Sequence, residues 1–128
     1  MNNNKQRSNE SMEDYLETIL ILKNELRNVR SIDIANKLNF TKASVSIAMK
    51  NLREKEFITV TDDGYIELTS SGKKIAKRIY ERHTILSELL INLGVKPETA
   101  LKDACKIEHD ISDESFNAIK NHIKEHSK

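Results

Sequence analysis

Apolar positions recur along this chain with two different periods. Met12, Tyr15, Leu16, Ile19, Leu20 and Leu22 fall at helical spacing, while Glu10, Glu13, Asp14 and Glu17 place negative charge where the positive end of a helix dipole favours it. A first helix is therefore predicted from about Ser8 or Ser11 to Leu26. Ser31 reads as the N-cap of a short second helix with Ile32, Ala35 and Leu38 on one face. Asn39-Phe40 makes a tight turn. Thr41 then caps a third helix whose inward face is Val45, Met49, Leu52 and either Ile47 or Ala48.

The period then shortens. Phe57-Ile58-Thr59-Val60 and Tyr65-Ile66-Glu67-Leu68 are short β-rich runs, and Thr61-Asp62-Asp63-Gly64 between them contains the Asp-Gly pair that hairpin turns favour. Thr69 caps a long helix to Leu93, striped by Ile75, Ile79, Leu86, Leu89, Leu90 and Leu93, with Gly94 as its stop. Pro97 opens a fifth helix at the position proline prefers. Ser112 caps a sixth, with Phe116, Ile119 and Ile123 as its apolar face. This order predicts a mainly α chain with a small β-hairpin wing: a winged helix-turn-helix followed by a helical domain. The domain boundaries are set at 1–75 and 76–128, with a long connecting helix of about 71–93 shared between them.

Composition narrows the class. The 128 residues hold 38% hydrophobic and 32% charged side chains, with three Gly, one Pro and no Trp, which suits a helix-rich soluble domain and not a disordered one. The longest apolar run, Ile19 to Leu22, is far short of the ~20 residues a membrane span needs, so no membrane partner is expected. The single cysteine, Cys105, excludes an internal disulfide and fits a reducing, cytoplasmic setting. The net charge of +1 conceals a segregation: residues 28–82 carry eleven Lys/Arg against seven Asp/Glu, while 83–128 carry six against eight. A basic surplus in the middle of the chain points toward a polyanion.

The second helix of a helix-turn-helix enters the DNA major groove with small and polar side chains near its N-terminus. Thr41, Ser44 and Ser46 are placed to hydrogen-bond bases or phosphates, Ala43 to touch a thymine methyl, and Lys42 and Lys50 to neutralise phosphates. Asp62 and Asp63 at the hairpin tip make the wing a poor phosphate clamp, so its expected role is to support the fold.

The fifth helix carries Cys105, Glu108 and His109 at i, i+3 and i+4, a thiolate, a carboxylate and an imidazole on one face. That mixed set suits a first-row divalent ion. Asp14 and Glu17 are also i, i+3, and His83 interrupts the apolar stripe of the long helix, where an inward imidazole needs a partner for each nitrogen. His122 and His126 read as tail residues. The chain carries no Gly-rich phosphate loop, nucleophile elbow or general-base motif, so it is not expected to be an enzyme.

With these residues in view, the chain resembles a known family. Ser11-Met12-Glu13-Asp14-Tyr15-Leu16-Glu17 resembles the opening of the manganese transport regulators. Leu68-Thr69-Ser70-Ser71-Gly72-Lys73-Lys74-Ile75-Ala76, on to Arg82-His83, resembles their join between wing and long helix, and Cys105-x-x-Glu108-His109 resembles the primary metal motif of the diphtheria toxin repressor family that contains them. The resemblance runs from about Ser11 to Ile123 and has the plan of the short, two-domain manganese type. It implies a primary metal site of Asp14, Cys105, Glu108 and His109, and a second site lined by Glu17 and His83. It also implies a homodimer built through the C-terminal helices that binds operator DNA when loaded with metal. The ligand set is a hybrid: manganese-type members usually have glutamate where Cys105 stands, and iron-type members usually have methionine where Asp14 stands. Ser87 and Leu101 occupy positions where iron-type members place second-site ligands, and Ala43 and Ile47 replace a proline and a polar residue common in their recognition helix. The thiolate favours Fe(II) over Mn(II), with Zn(II) or Co(II) able to bind in vitro. The expected function is thus a metal-dependent transcriptional repressor controlling metal-ion homeostasis. The alternative is a winged-helix DNA-binding regulator not controlled by metal.

Overall fold

The computed structural model of the chain describes residues 3–126, in the order α1 (Asn3–Glu25), α2 (Ser31–Leu38), α3 (Lys42–Glu54), β1 (Ile58–Val60), β2 (Ile66–Leu68), α4 (Ser70–Asn92), α5 (Pro97–Asp110) and α6 (Asp113–His126). Mainly α, with one hairpin, it has the expected architecture. Two compact units divide within α4: Met1–Arg78 and Ile79–Lys128.

In the first unit, α1, α2 and α3 enclose one apolar cluster that includes Leu16, Ile19, Ile34, Val45, Met49 and Leu52, closed by Ile58 and Ile66 of the hairpin and Ala76 of α4. Thr41 caps α3 as expected, its Oγ1 accepting from the Ser44 N–H at 3.1 Å. Asn39, at φ 58°, ends α2 in the left-handed region that asparagine tolerates, with the Phe40 N–H donating back to the Ala35 carbonyl. The strands are antiparallel, Thr59 opposite Glu67, and the Ile66 N–H also reaches the Val29 carbonyl at 2.7 Å. Gly64, at φ 85°, occupies the turn position where a side chain would be strained.

Thr69 joins wing to helix. Its hydroxyl donates to the Glu56 carbonyl at 2.8 Å and accepts from the Gly72 N–H at 3.1 Å, which caps α4. A Cβ on Gly72 would stand 2.0 Å from the Phe57 carbonyl oxygen, so this close approach of α4 to the residue that leads into β1 requires glycine. At its far end α4 stops at Asn92, and Gly94, φ 104°, turns the chain so that the Val95 N–H returns to the Leu90 carbonyl. Pro97 opens α5 and Ser112 caps α6, its hydroxyl accepting from the Ser115 N–H at 3.1 Å.

Several local expectations are corrected. α1 begins at Asn3, ahead of Ser8 and Ser11; Lys5, Gln6 and Arg7 are good helix formers and carry the helix where no apolar stripe marks it. Ser31 is the first residue of α2 and not its cap; Arg30 takes the cap position, its N–H bonded to the Asp33 carboxylate at 2.8 Å. Ile34 is buried where Ile32 was expected, and Ala48 packs against the core while Ile47 is 64% exposed. Leu93 lies beyond the end of α4 and is exposed.

Candidate functional site

The second unit buries a carboxylate. Glu108, near the C-terminal end of α5, is 0% exposed. An ionised carboxylate removed from water is costly unless it is paired, and here each oxygen faces an imidazole. His83 Nδ1, from α4, donates to Oε2 at 2.9 Å, and His109 Nε2 lies 3.6 Å from Oε1. Cys105, one turn earlier on α5, places Sγ 3.7 Å from the same His83 nitrogen. The thiol and the carboxylate together push His83 up to about 10, against the opposing effect of its burial. A metal ion entering here therefore competes with a proton on His83.

The donor set fits a divalent transition ion. One ligand atom from each of His83, Cys105 and Glu108 lies within 4.8 Å of the others. Bonds of about 2.0–2.3 Å from nitrogen, oxygen and one sulfur to a single ion put its donors up to about 4.5 Å apart, the scale of this cluster. The residues spaced i, i+3 and i+4 are thus distributed about the carboxylate: Cys105 with His83 near one oxygen, His109 by the other. Asp14 and Glu17 are on α1 of the first unit, Glu17 buried, with the Thr18 hydroxyl donating to the Asp14 carbonyl at 2.8 Å. Ser87 is buried, and its hydroxyl is committed to the His83 carbonyl at 2.6 Å. His122 and His126 stack 4.1 Å apart near the end of α6.

In the first unit, Val45, Met49 and Leu52 bury one face of α3 and leave Lys42, Ala43, Ser44, Ser46, Ile47, Lys50 and Asn51 exposed on the other. Thr41 is exposed at its N-terminus, where its hydroxyl donates to Ser44 Oγ at 2.9 Å. Every residue singled out for a nucleic-acid contact is therefore accessible. Ile47 joins them, a large apolar side chain in a polar and basic surround. The exposed position was indistinguishable from its neighbour Ala48 by periodicity alone. Asp62 and Asp63 are exposed at the tip of the hairpin. Among the described residues no helix is long and apolar enough to cross a membrane.

Comparison with known proteins agrees with this division. Residues 8–66 match the family described as iron dependent repressor, N-terminal DNA binding domain, and residues 69–128 match iron dependent repressor, metal binding and dimerisation domain. The chain is 38% identical over 109 residues to the HTH-type transcriptional regulator MntR of Bacillus subtilis, covering 85% of this chain and 77% of that protein. It is 33% identical over 117 residues to the transcriptional regulator MntR of Escherichia coli O157:H7, covering 91% and 76%. Among solved structures, IdeR of T. acidophilum superposes with a TM-score of 0.75 at 26% identity over 88% of this chain. A manganese-dependent transcriptional repressor in complex with manganese superposes at 0.80 with 24% identity, also over 88%. The chain spans about half of those two solved chains, 53% and 52% respectively. A winged helix-turn-helix, a metal-fitting cluster in the following helices, and relatives matched along most of their length lead to one assignment: the chain belongs to the diphtheria toxin repressor and manganese transport regulator family of metal-dependent transcriptional regulators.

Proposed function

We propose that this chain is a metal-activated repressor that binds operator DNA as a homodimer and so controls metal-ion homeostasis in the cytoplasm. The observation that carries the reading is the buried Glu108 carboxylate held between His83 and His109 with Cys105 alongside. A bound divalent ion would take the place of the proton that the Glu108 carboxylate and Cys105 hold on His83. Cys105, Glu108 and His109 would hold it, with His83 able to contribute from α4. Asp14 and Glu17 enter the ligand set through the family resemblance, Asp14 with Cys105, Glu108 and His109, and Glu17 with His83. The thiolate favours Fe(II) over Mn(II), whereas the carboxylates retain affinity for the harder ion. On the DNA side, Thr41, Ala43, Ser44 and Ser46 address base edges and Lys42 and Lys50 address phosphates. Coupling between two sites of this kind is typically about 1–3 kcal/mol, roughly 5–150-fold in DNA affinity.

The test is anaerobic fluorescence anisotropy on DNA from upstream of the chain's own gene, with chelator, Fe(II), Mn(II) or Zn(II) at matched salt. Binding that appears with Fe(II) or Mn(II) and vanishes with chelator is the expected result, Fe(II) acting at the lower concentration. Equal binding in every condition overturns metal control and favours a winged-helix regulator indifferent to metal. Loss of the response in Asp14→Ala assigns that carboxylate a part, and an unchanged response removes it.

A further inference from the structure

Arg82 is 4% exposed, an unusual place for a guanidinium, and it directly precedes His83 on α4. Its Nη1 donates to the Glu108 carbonyl at 3.1 Å and to the Ile111 carbonyl at 2.6 Å. Its Nη2 pairs with the Asp113 carboxylate, and its Cζ lies 5.3 Å from the centre of the Phe116 ring. One side chain thus ties together the last turn of α5, the segment that leaves it and the first turn of α6.

The last four carbonyls of a helix have no partner within it. α5 ends at Asp110, so the Glu108 carbonyl is one of these; the Ile107 carbonyl is taken by the Ile111 N–H at 3.0 Å. A cation at this end satisfies the open carbonyls and opposes the negative end of the dipole. A planar fork of five donors can hold two carbonyls and a carboxylate at once, which a lysine ammonium does not reproduce in fixed directions. An apolar residue would fill this space without the desolvation cost of a buried charge. One of the contacts that offset that cost falls on the backbone of Glu108 itself, and the others fall on the Ile111 carbonyl and the Asp113 carboxylate just beyond it.

We propose that Arg82 is a positioning residue for the metal centre. By holding the Glu108 carbonyl and the chain that follows, it fixes where the Glu108 and His109 side chains stand relative to His83 on its own helix. This rests on the reading of the cluster as a metal site, and it adds a residue that touches none of the donor atoms. Groups that orient ligands in this way typically cost about 10–100-fold in metal affinity when removed.

The test uses the full chain with Co(II), whose thiolate charge-transfer and visible bands report Cys105 and the coordination around it. Arg82→Gln is expected to bind Co(II) about 10–100-fold more weakly and with altered visible bands, and Arg82→Lys to recover only part of the loss. In the metal-free protein, Arg82→Gln should speed hydrogen exchange at amides 107–113 while leaving the middle of α4 and of α6 protected. A folded Arg82→Gln whose Co(II) affinity and spectrum equal the native chain's within error overturns the proposal. Exchange accelerated evenly over residues 79–126 also overturns it, since that marks general support of the unit. Should Arg82→Gln fail to fold, Asp113→Asn loosens the guanidinium without removing it. It must then weaken Co(II) binding and raise the same local exchange, and unchanged values overturn the proposal. Native protein that binds no Co(II) overturns the metal reading itself, and this inference with it.

Discussion

The two units bury different kinds of side chain. The first has a contiguous apolar cluster drawn from three helices, the hairpin and the start of α4, with Glu17 and Thr18 buried beside it. In the second, the buried apolar residues are Ile79, Leu86, Ala100, Ala104 and Phe116, two of them alanines, and they share the interior with Arg82, Ser87 and Glu108. Apolar burial is non-directional and contributes roughly in proportion to area. Buried polar groups contribute only while their partners stand in place, and leaving one unpaired costs about 1–3 kcal/mol or more for a charged group. The stability of the first unit therefore rests mainly on apolar contacts. The second has an interior whose stability depends on what occupies it, which is the property a sensor needs.

The largest effect should come from breaking the apolar side of that contrast. Leu16 is fully buried in the first unit, and Leu16→Ala should destabilise it by about 2–5 kcal/mol, the range for deleting such a side chain and leaving a cavity. Thermal and urea unfolding measure the loss. Added metal should not restore the lost contacts.

Glu108→Gln tests the polar side. The amide keeps the shape and a carbonyl acceptor, so the metal-free fold should survive, but the charge that attracts a cation is gone. A ligand at about a hundredfold over its Kd raises stability by about 2.7 kcal/mol through mass action. That metal-dependent rise in the unfolding midpoint should be present in the native chain and absent from the variant. A rise of equal size in both would show that the carboxylate is not a ligand.

Thr69 lies at the join of wing and helix, and its effect should be smaller. Thr69→Ala removes both the bond to the Glu56 carbonyl and the cap on the Gly72 N–H. Loss of such a cap costs about 0.5–2 kcal/mol, read as a fall in the urea midpoint with metal affinity unchanged.

How much could be read from the chain follows the same division. Val45, Met49 and Leu52 repeat at helical spacing, so the buried face of α3 was legible, as were the Thr41, Thr69 and Ser112 caps, because each of these signals acts within a few residues. Ile32 and Ile34 are each compatible with the pattern of α2, and only packing against neighbouring elements selects Ile34. The i, i+3, i+4 trio on α5 flagged ligand chemistry, since one helix supplies all three. The approach of His83 to Glu108 spans 25 residues between helices, and no local pattern encodes it. Arg82 was hidden more deeply: an arginine on a helix reads as a solvent-facing residue, and the carbonyls it holds belong to backbone 26 and 29 residues away.

The smallest expected effect on stability belongs to Ile47, and for that reason it is the sharpest test of what the first unit's surface does. At 64% exposure its side chain contributes little to the core, so Ile47→Gln should change stability by no more than about 0.5 kcal/mol. Its consequence should appear in DNA selectivity. Ile47 follows Ala43 by one turn on the exposed face of α3, an apolar pair bordered by Ser46 and Lys50. In the major groove the apolar feature available to such a pair is the thymine methyl. DNA selected by the metal-loaded native chain should therefore lose affinity when individual thymines in each half-site are replaced by deoxyuridine, which removes only that methyl. For Ile47→Gln the same replacement should have less effect, because the methyl has lost its partner, while the salt dependence proposed to come from Lys42 and Lys50 should stay the same. Equal sensitivity in both proteins would place Ile47 outside the base-reading surface. The exposed face of α3 would then read sequence through Thr41, Ser44 and Ser46 without it.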